Sequence, residues 1–153
     1  MRRRKRTLRE AEAGAAAVEA AVVMSVLLLA VVGIVECARA LWASSTMLVA
    51  VEQAGRFAMT YSHRLSAICS AQAQAPQCPA ISNTPAANCS AWYARQVLLA
   101  HRAPGVAVSA AEDTTTSPPT ITVCASYSFD FIAPQLMPYG PLQFTTHVTV
   151  PVL

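Results

Sequence analysis

Apolar and polar positions change their period along the chain, and each change marks an element. From Ala15 to Val35 the residues are apolar or small, with Glu19 as the one charged exception. A helix needs about 20 mostly apolar residues to cross the hydrocarbon core of a bilayer, so the pattern predicts a membrane span over 15–38. Beyond it, Leu41, Leu48, Val51, Gly55, Ala58, Tyr61, Leu65 and Ile68 recur at steps of three, four or seven. Ser44, Ser45, Glu52, Gln53, Arg56 and His63 fall largely off that stripe. This is the period of an amphipathic helix, and it predicts a stem over 39–68 that buries one face. A continuous helix from Ala15 to Leu65 would be about 75 Å long at 1.5 Å per residue. That is more than twice the bilayer core of about 30 Å.

The period is lost over 71–90, where Pro, Ser, Asn, Gln and Ala predict a loop. Ser90 is a candidate cap for a short helix through Trp92, Tyr93, Val97, Leu98 and Leu99, ending before Pro104-Gly105. Val106 and Val108 suggest a first strand, and Thr114–Pro119 is a polar loop. Then the period becomes two. Ile121, Val123, Ala125, Tyr127, Phe129 and Phe131 alternate with Thr122, Cys124, Ser126, Ser128 and Asp130, as a half-buried strand requires. Pro134, Pro138, Gly140 and Pro141 make a connection, and Phe144, Val148 and Val150 alternate with Thr145, His147 and Thr149 in a last strand. The predicted class is α+β: a long N-terminal transmembrane and stem helix, then a small domain over 69–153 with an antiparallel sheet. So small a sheet needs a helix against one face, and the stem supplies it.

Charge divides the chain at Gly14. Residues 1–14 hold six of the 11 basic residues (Arg2, Arg3, Arg4, Lys5, Arg6, Arg9) and two of the eight acidic ones (Glu10, Glu12). The remainder has five basic and six acidic residues, a net charge of −1. The basic character therefore belongs to the leader and describes no nucleic-acid surface. Lys and Arg beside a span stay cytoplasmic, so Arg2, Arg3, Arg4, Lys5 and Arg6 set the topology, with the C-terminal domain outside the cytoplasmic membrane. A cleavable signal peptide has a shorter apolar core and a small-residue cleavage site. Ala38-Arg39-Ala40 has that form, and a signal-peptidase product would start near Leu41.

An acid near the hydrocarbon region costs a few kcal/mol and is a functional candidate by default. Glu19 lies one turn inside the span, where its side chain can also reach the headgroups. Were the chain cut after Gly14, Ala15 would carry a new α-amine and Glu19 would be the fifth residue. The amine of one subunit would then neutralise the carboxylate of another and set helix register, the best-attested use of a buried pair. Gly14 followed by Glu19 resembles the processing site of type IV pilin-like proteins. The wider stretch Gly14-Ala15-Ala16-Ala17-Val18-Glu19, Leu27-Leu28-Leu29, Gly33-Ile34-Val35-Glu36 and Arg39-Ala40-Leu41 is similar to the TadE family. These are minor pilins or pseudopilins of the tight-adherence (Flp-type) pilus machinery.

The resemblance covers residues 14–65, with a looser echo in the C-terminal strands. It implies a pilin-like fold, cleavage after Gly14 by a prepilin peptidase on the cytoplasmic side, and a need for Glu19 in processing or assembly. It also implies partners: the peptidase, other pilins or pseudopilins, and inner-membrane platform proteins of the Tad system. Ala20 stands where these proteins usually carry an aromatic residue, and Ser25 where many carry a proline. Without that proline the helix is expected to be straighter, since proline is the usual cause of kinks.

Five cysteines follow the leader. Cys69, Cys78, Cys89 and Cys124 form an even set in the part expected outside the cytoplasm, which predicts disulfides. Four cysteines permit three pairings. The favoured ones are Cys69–Cys78 or Cys78–Cys89, closing the 71–90 stretch, with Cys124 tied to the remaining partner. Cys37, at the edge of the span, is expected to be a buried free thiol. No C-x-x-C occurs and His63, His101 and His147 are scattered, so no metal site is read. The chain carries no Gly-rich phosphate loop, HExxH, GxSxG or carboxylate cluster. Glu112-Asp113 is read as solvated, Glu36 and Arg39 as a local helix pair, and His101-Arg102 as helix-end residues. The expected function is structural, without cofactor or nucleic acid: a cleaved Tad pilus subunit acting in assembly, type II-like secretion and adhesion. The rivals are an uncleaved single-span envelope protein whose head binds a partner, and a secreted enzyme.

Overall fold

The computed structural model describes residues 2–61, 69, 71–103, 105–132, 134 and 140–152, with the side chains of 2–13 and of Tyr61 left aside. Helix α1 (Arg2–Tyr61) is followed by α2 (Pro85–Ala100) and strands β1 (Ala107–Asp113), β2 (Thr120–Phe129) and β3 (Leu142–Pro151). The chain forms two units, Met1–Arg39 and Ala40–Leu153, and α1 contributes to both. The fold is α+β, as the pattern predicts. His63, Leu65 and Ile68 of the predicted stem lie outside the described residues.

The first unit is the apolar part of α1. Its large side chains stand open: Val18, Val22, Leu28 and Ile34 are all more than half exposed. Residues Gly14–Thr60 make one helix long and apolar enough to cross a membrane, with a mean hydropathy of 2.7 over its most apolar window. Such a surface is stable in lipid and costly in water.

The second unit is built on a three-stranded antiparallel sheet in the order β1-β2-β3. Register runs from Ala107↔Ser126 to Asp113↔Thr120 in the first ladder and from Thr120↔Pro151 to Phe129↔Leu142 in the second. The inner face carries Val108, Ala110, Ile121, Val123, Ala125 and Val150, packed with one face of the stem and with Ala87, Ala91, Ala94 and Leu98 of α2. Phe57 of the stem stacks on Tyr93 of α2, ring centroids 4.6 Å apart.

The buried stem face is one of small residues: Ala43, Met47, Ala50, Val51, Ala54 and Ala58. This corrects the predicted stripe at its N-terminal end, because Leu41 is 71% and Leu48 48% exposed. Val51, Gly55 and Ala58 are buried as expected. Small residues win because the helix backbone lies close to the sheet. A Cβ on Gly55 would sit 3.0 Å from Val148 Cγ1 and 3.2 Å from Val150 Cγ1.

Helix α2 starts earlier than Ser90. Thr84 is the N-cap, its Oγ1 accepting from Ala87 N–H at 3.3 Å, and Pro85 follows at the first helical position. That site suits proline because its missing N–H would have no helical partner. Ser90 is interior and donates to the Ala86 carbonyl at 2.8 Å. The helix ends in a Schellman arrangement. Arg102 N–H reaches Leu99 O and Ala103 N–H reaches Leu98 O, with Arg102 in the left-handed region at φ 52°.

Candidate functional site

The residues singled out for processing lie together on α1. The leader residues Arg2, Arg3, Arg4, Lys5 and Arg6 form its first turns. Gly14 is exposed, and a Cβ placed on it would meet nothing within 4 Å. Ala15 and Glu19 are exposed as well. Four residues apart on one helix, they share a face and are separated by about 6 Å along the axis. The Glu19 carboxylate has no hydrogen bond or ion pair within the described part of the chain.

At the far end of the apolar run Glu36 is buried, and its Oε2 accepts from Arg39 Nη1 at 2.8 Å. The expected local pair is therefore present, with the acid deeper than its position on a helix surface suggests. Cys37 corrects its expectation: the thiol is free but exposed.

All four remaining cysteines are bonded, in the pairing that was not favoured: Cys69–Cys89 and Cys78–Cys124. The reason is that residues from Pro85 on are helical. Cys89 sits on the buried side of α2, and Cys78, in a turn of the 71–84 segment, reaches across the sheet to Cys124. The two bridges interleave, which ties the 71–84 segment to both α2 and β2.

That segment is also ordered by side chains that the loop prediction did not single out. Gln72 is buried; its Nε2 donates to Ala110 O at 2.7 Å and to Ser82 O at 2.8 Å, and its Oε1 accepts from Ala110 N–H at 2.6 Å. Ser82 Oγ accepts from Glu112 N–H and donates to Glu112 O. Arg95 Nη2 donates to Val108 O at 3.0 Å. These contacts cap the open edge of β1, and the only hint in the sequence is the glutamine content of the segment.

Among the described residues the remaining polar side chains gather into no reaction centre. Asp113 is fully exposed, and the hydroxyl and N–H of Thr115 donated to its Oδ1 hold its carboxyl below the usual range. His101 caps the C-terminus of α2, and His147 lies exposed on β3 opposite Cys124. Two open hollows, one of about 260 Å³ lined by Asp130, Phe131, Pro134, Gly140 and Pro141, the other of about 270 Å³ by Gln53, Arg56, Phe57, Thr60 and Tyr93, place no nucleophile beside a base.

No curated protein and no solved structure matches the chain. Residues 14–56, which begin at the glycine and run through the apolar helix into the stem, match the model of the TadE family, described as TadE-like protein; it is the family that the Gly14–Glu19 motif resembles.

Proposed function

We propose that this chain is a minor pilin or pseudopilin of a Tad-type pilus system, a structural subunit with no catalysis of its own. The observation that carries the reading is the match of residues 14–56 to the TadE-like family, which starts at Gly14. In this reading the basic leader remains in the cytoplasm, and the apolar part of α1 crosses the cytoplasmic membrane once. The domain beyond it is exported, into a compartment where disulfides such as Cys69–Cys89 and Cys78–Cys124 persist. A prepilin peptidase cuts between Gly14 and Ala15. The mature subunit then joins other pilins through the platform proteins of the Tad system, and serves assembly, secretion or adhesion.

The physical logic lies at Glu19. Before cleavage its carboxylate is a cost of a few kcal/mol near the hydrocarbon region. After cleavage it lies in the first turns of a helix whose N-terminus carries a positive dipole and a free amine, both attractive to an anion. The amine of a neighbouring subunit offers the same charge, and pairing with it fixes one axial register between helices.

Glu19→Ala tests this directly. It is expected to leave membrane insertion intact and to remove the subunit from assembled pili, measured by immunoblotting of sheared filaments against the membrane fraction. Unchanged incorporation of the variant would contradict the role given to Glu19.

A further inference from the structure

The two edges of the sheet are treated in opposite ways. On β1 the backbone groups of Val108, Ala110 and Glu112 point away from β2, and each residue is bonded there by Arg95, Gln72 or Ser82. Their partners in register are Ala125, Val123 and Ile121, whose own backbone groups therefore face β3 and pair with Thr146, Val148 and Val150. The alternate residues of β3, Gln143, Thr145, His147 and Thr149, must then aim their N–H and C=O groups out of the sheet. Among the described residues none of these groups has a partner.

The β3 edge also lacks most of the usual protections, although Gln77 of the 71–84 segment accepts from Thr145 Oγ1 at 3.1 Å. Folded proteins blunt an open edge with Lys, inward charges, bulges, Pro or a short strand. Leu142–Pro151 has 10 residues and no charged side chain, and its register with β2 is unbroken. Its one proline, Pro151, is the last residue. Such a strand presents an edge about 33 Å long.

We infer that β3 is the docking edge for a second copy of this chain, pairing antiparallel with its own counterpart so that two three-stranded sheets become one of six. The strand is suited to itself. A two-fold axis at His147 places Thr145 opposite Thr149 of the other copy, twice, and Gln143 opposite Pro151. Thr–Thr is a favourable cross-strand pair; the two His147 rings meet at the axis, and no Lys, Arg, Asp or Glu is set against its own kind. Thr146 then lies beside Val148 and Phe144 beside Val150, which covers the half-buried inner side of the strand. Foreign peptides that add to a sheet edge draw specificity from pockets for alternate side chains. Here the outer face beside the strand is filled by buried Cys124 and Ser126, by the bridge from Cys124 to Cys78 and by Gln77, which leaves little room for pockets of that kind. The inference stands apart from processing, since the pairing needs neither cleavage nor Glu19.

The test uses the full chain in membranes and in detergent, with a photo-cross-linking residue at position 147. The expected adduct has twice the chain mass, and light scattering of the unmodified chain should also give a dimer. Thr145→Pro and Thr149→Pro together remove two outward N–H groups and leave the backbone ladder to β2 in place, as edge proline does, at the loss of the Thr149–Thr122 and Thr145–Gln77 hydroxyl contacts. This variant is expected to lose the adduct and become monomeric, while its near-ultraviolet circular dichroism stays that of the unmodified chain, which reports an intact fold. A monomeric unmodified chain, an adduct to a different protein alone, or a dimer that survives both prolines would each overturn the inference.

Discussion

At Gly55 the stem lies so near β3 that a methyl group would already be in tight contact with Val148 and Val150. The two valine tips can yield a few tenths of an ångström, and alanine gains about 0.5–1 kcal/mol of helix propensity over glycine. Gly55→Ala is therefore expected to be near neutral in thermal unfolding of the C-terminal domain. Gly55→Leu cannot be accommodated in the same way and should cost about 1–3 kcal/mol, the usual range for overpacking; an unchanged Tm would show that the close approach is not a constraint. Gln72 carries a different burden. Gln72→Ala leaves the Ala110 N–H short of its acceptor in a buried site, a loss of about 1–3 kcal/mol, read as a lower denaturation midpoint. Asp113 has a depressed carboxyl pKa because of Thr115. A depressed acid contributes stability above its unfolded pKa and loses it as pH falls through its folded pKa. An NMR titration should thus place Asp113 below the ordinary aspartate value, with Thr115→Ala moving it up; a titration unaffected by that substitution would reject the assignment.

Elements were legible where burial imposes a strict period. The alternation from Ile121 to Phe129 survives as β2, and that from Phe144 to Val150 as β3, because one face of each strand meets the core. The stem was legible as a helix, but not which face it buries. Ala43, Ala50, Ala54 and Ala58 have too little side chain to stand out in a hydrophobic pattern, yet the close helix–sheet spacing favours them over Leu41 and Leu48. The start of α2 was missed because two capping signals compete: Thr84-Pro85 is used, and Ser90 bonds back within the helix. That error carried over to the disulfides, since the pairing depends on where Cys89 lies on α2. The edge contacts of Gln72, Ser82 and Arg95 have no local period, and the glutamine content of the 71–84 segment is their one trace in the sequence. The cap makes its own prediction. Thr84→Ala should destabilise α2 by about 0.5–2 kcal/mol, seen as faster amide exchange in its first turn, whereas an unchanged exchange rate would mean that Pro85 alone fixes the helix start.

For the whole molecule, an exposed apolar helix and a disulfide-tied α+β domain share one chain, and residues 14–56 match the TadE-like family. Gly14, Ala15 and Glu19 stand out in the sequence because the motif is local, a glycine with an acid five positions on. The central claim, processing after Gly14, is tested most directly by the N-terminal residue of the membrane-extracted protein. It should be determined by intact mass and N-terminal sequencing in cells with and without their prepilin peptidase. The account predicts a start at Ala15 that depends on the peptidase. An intact leader, or a start near Leu41, in both strains would contradict it.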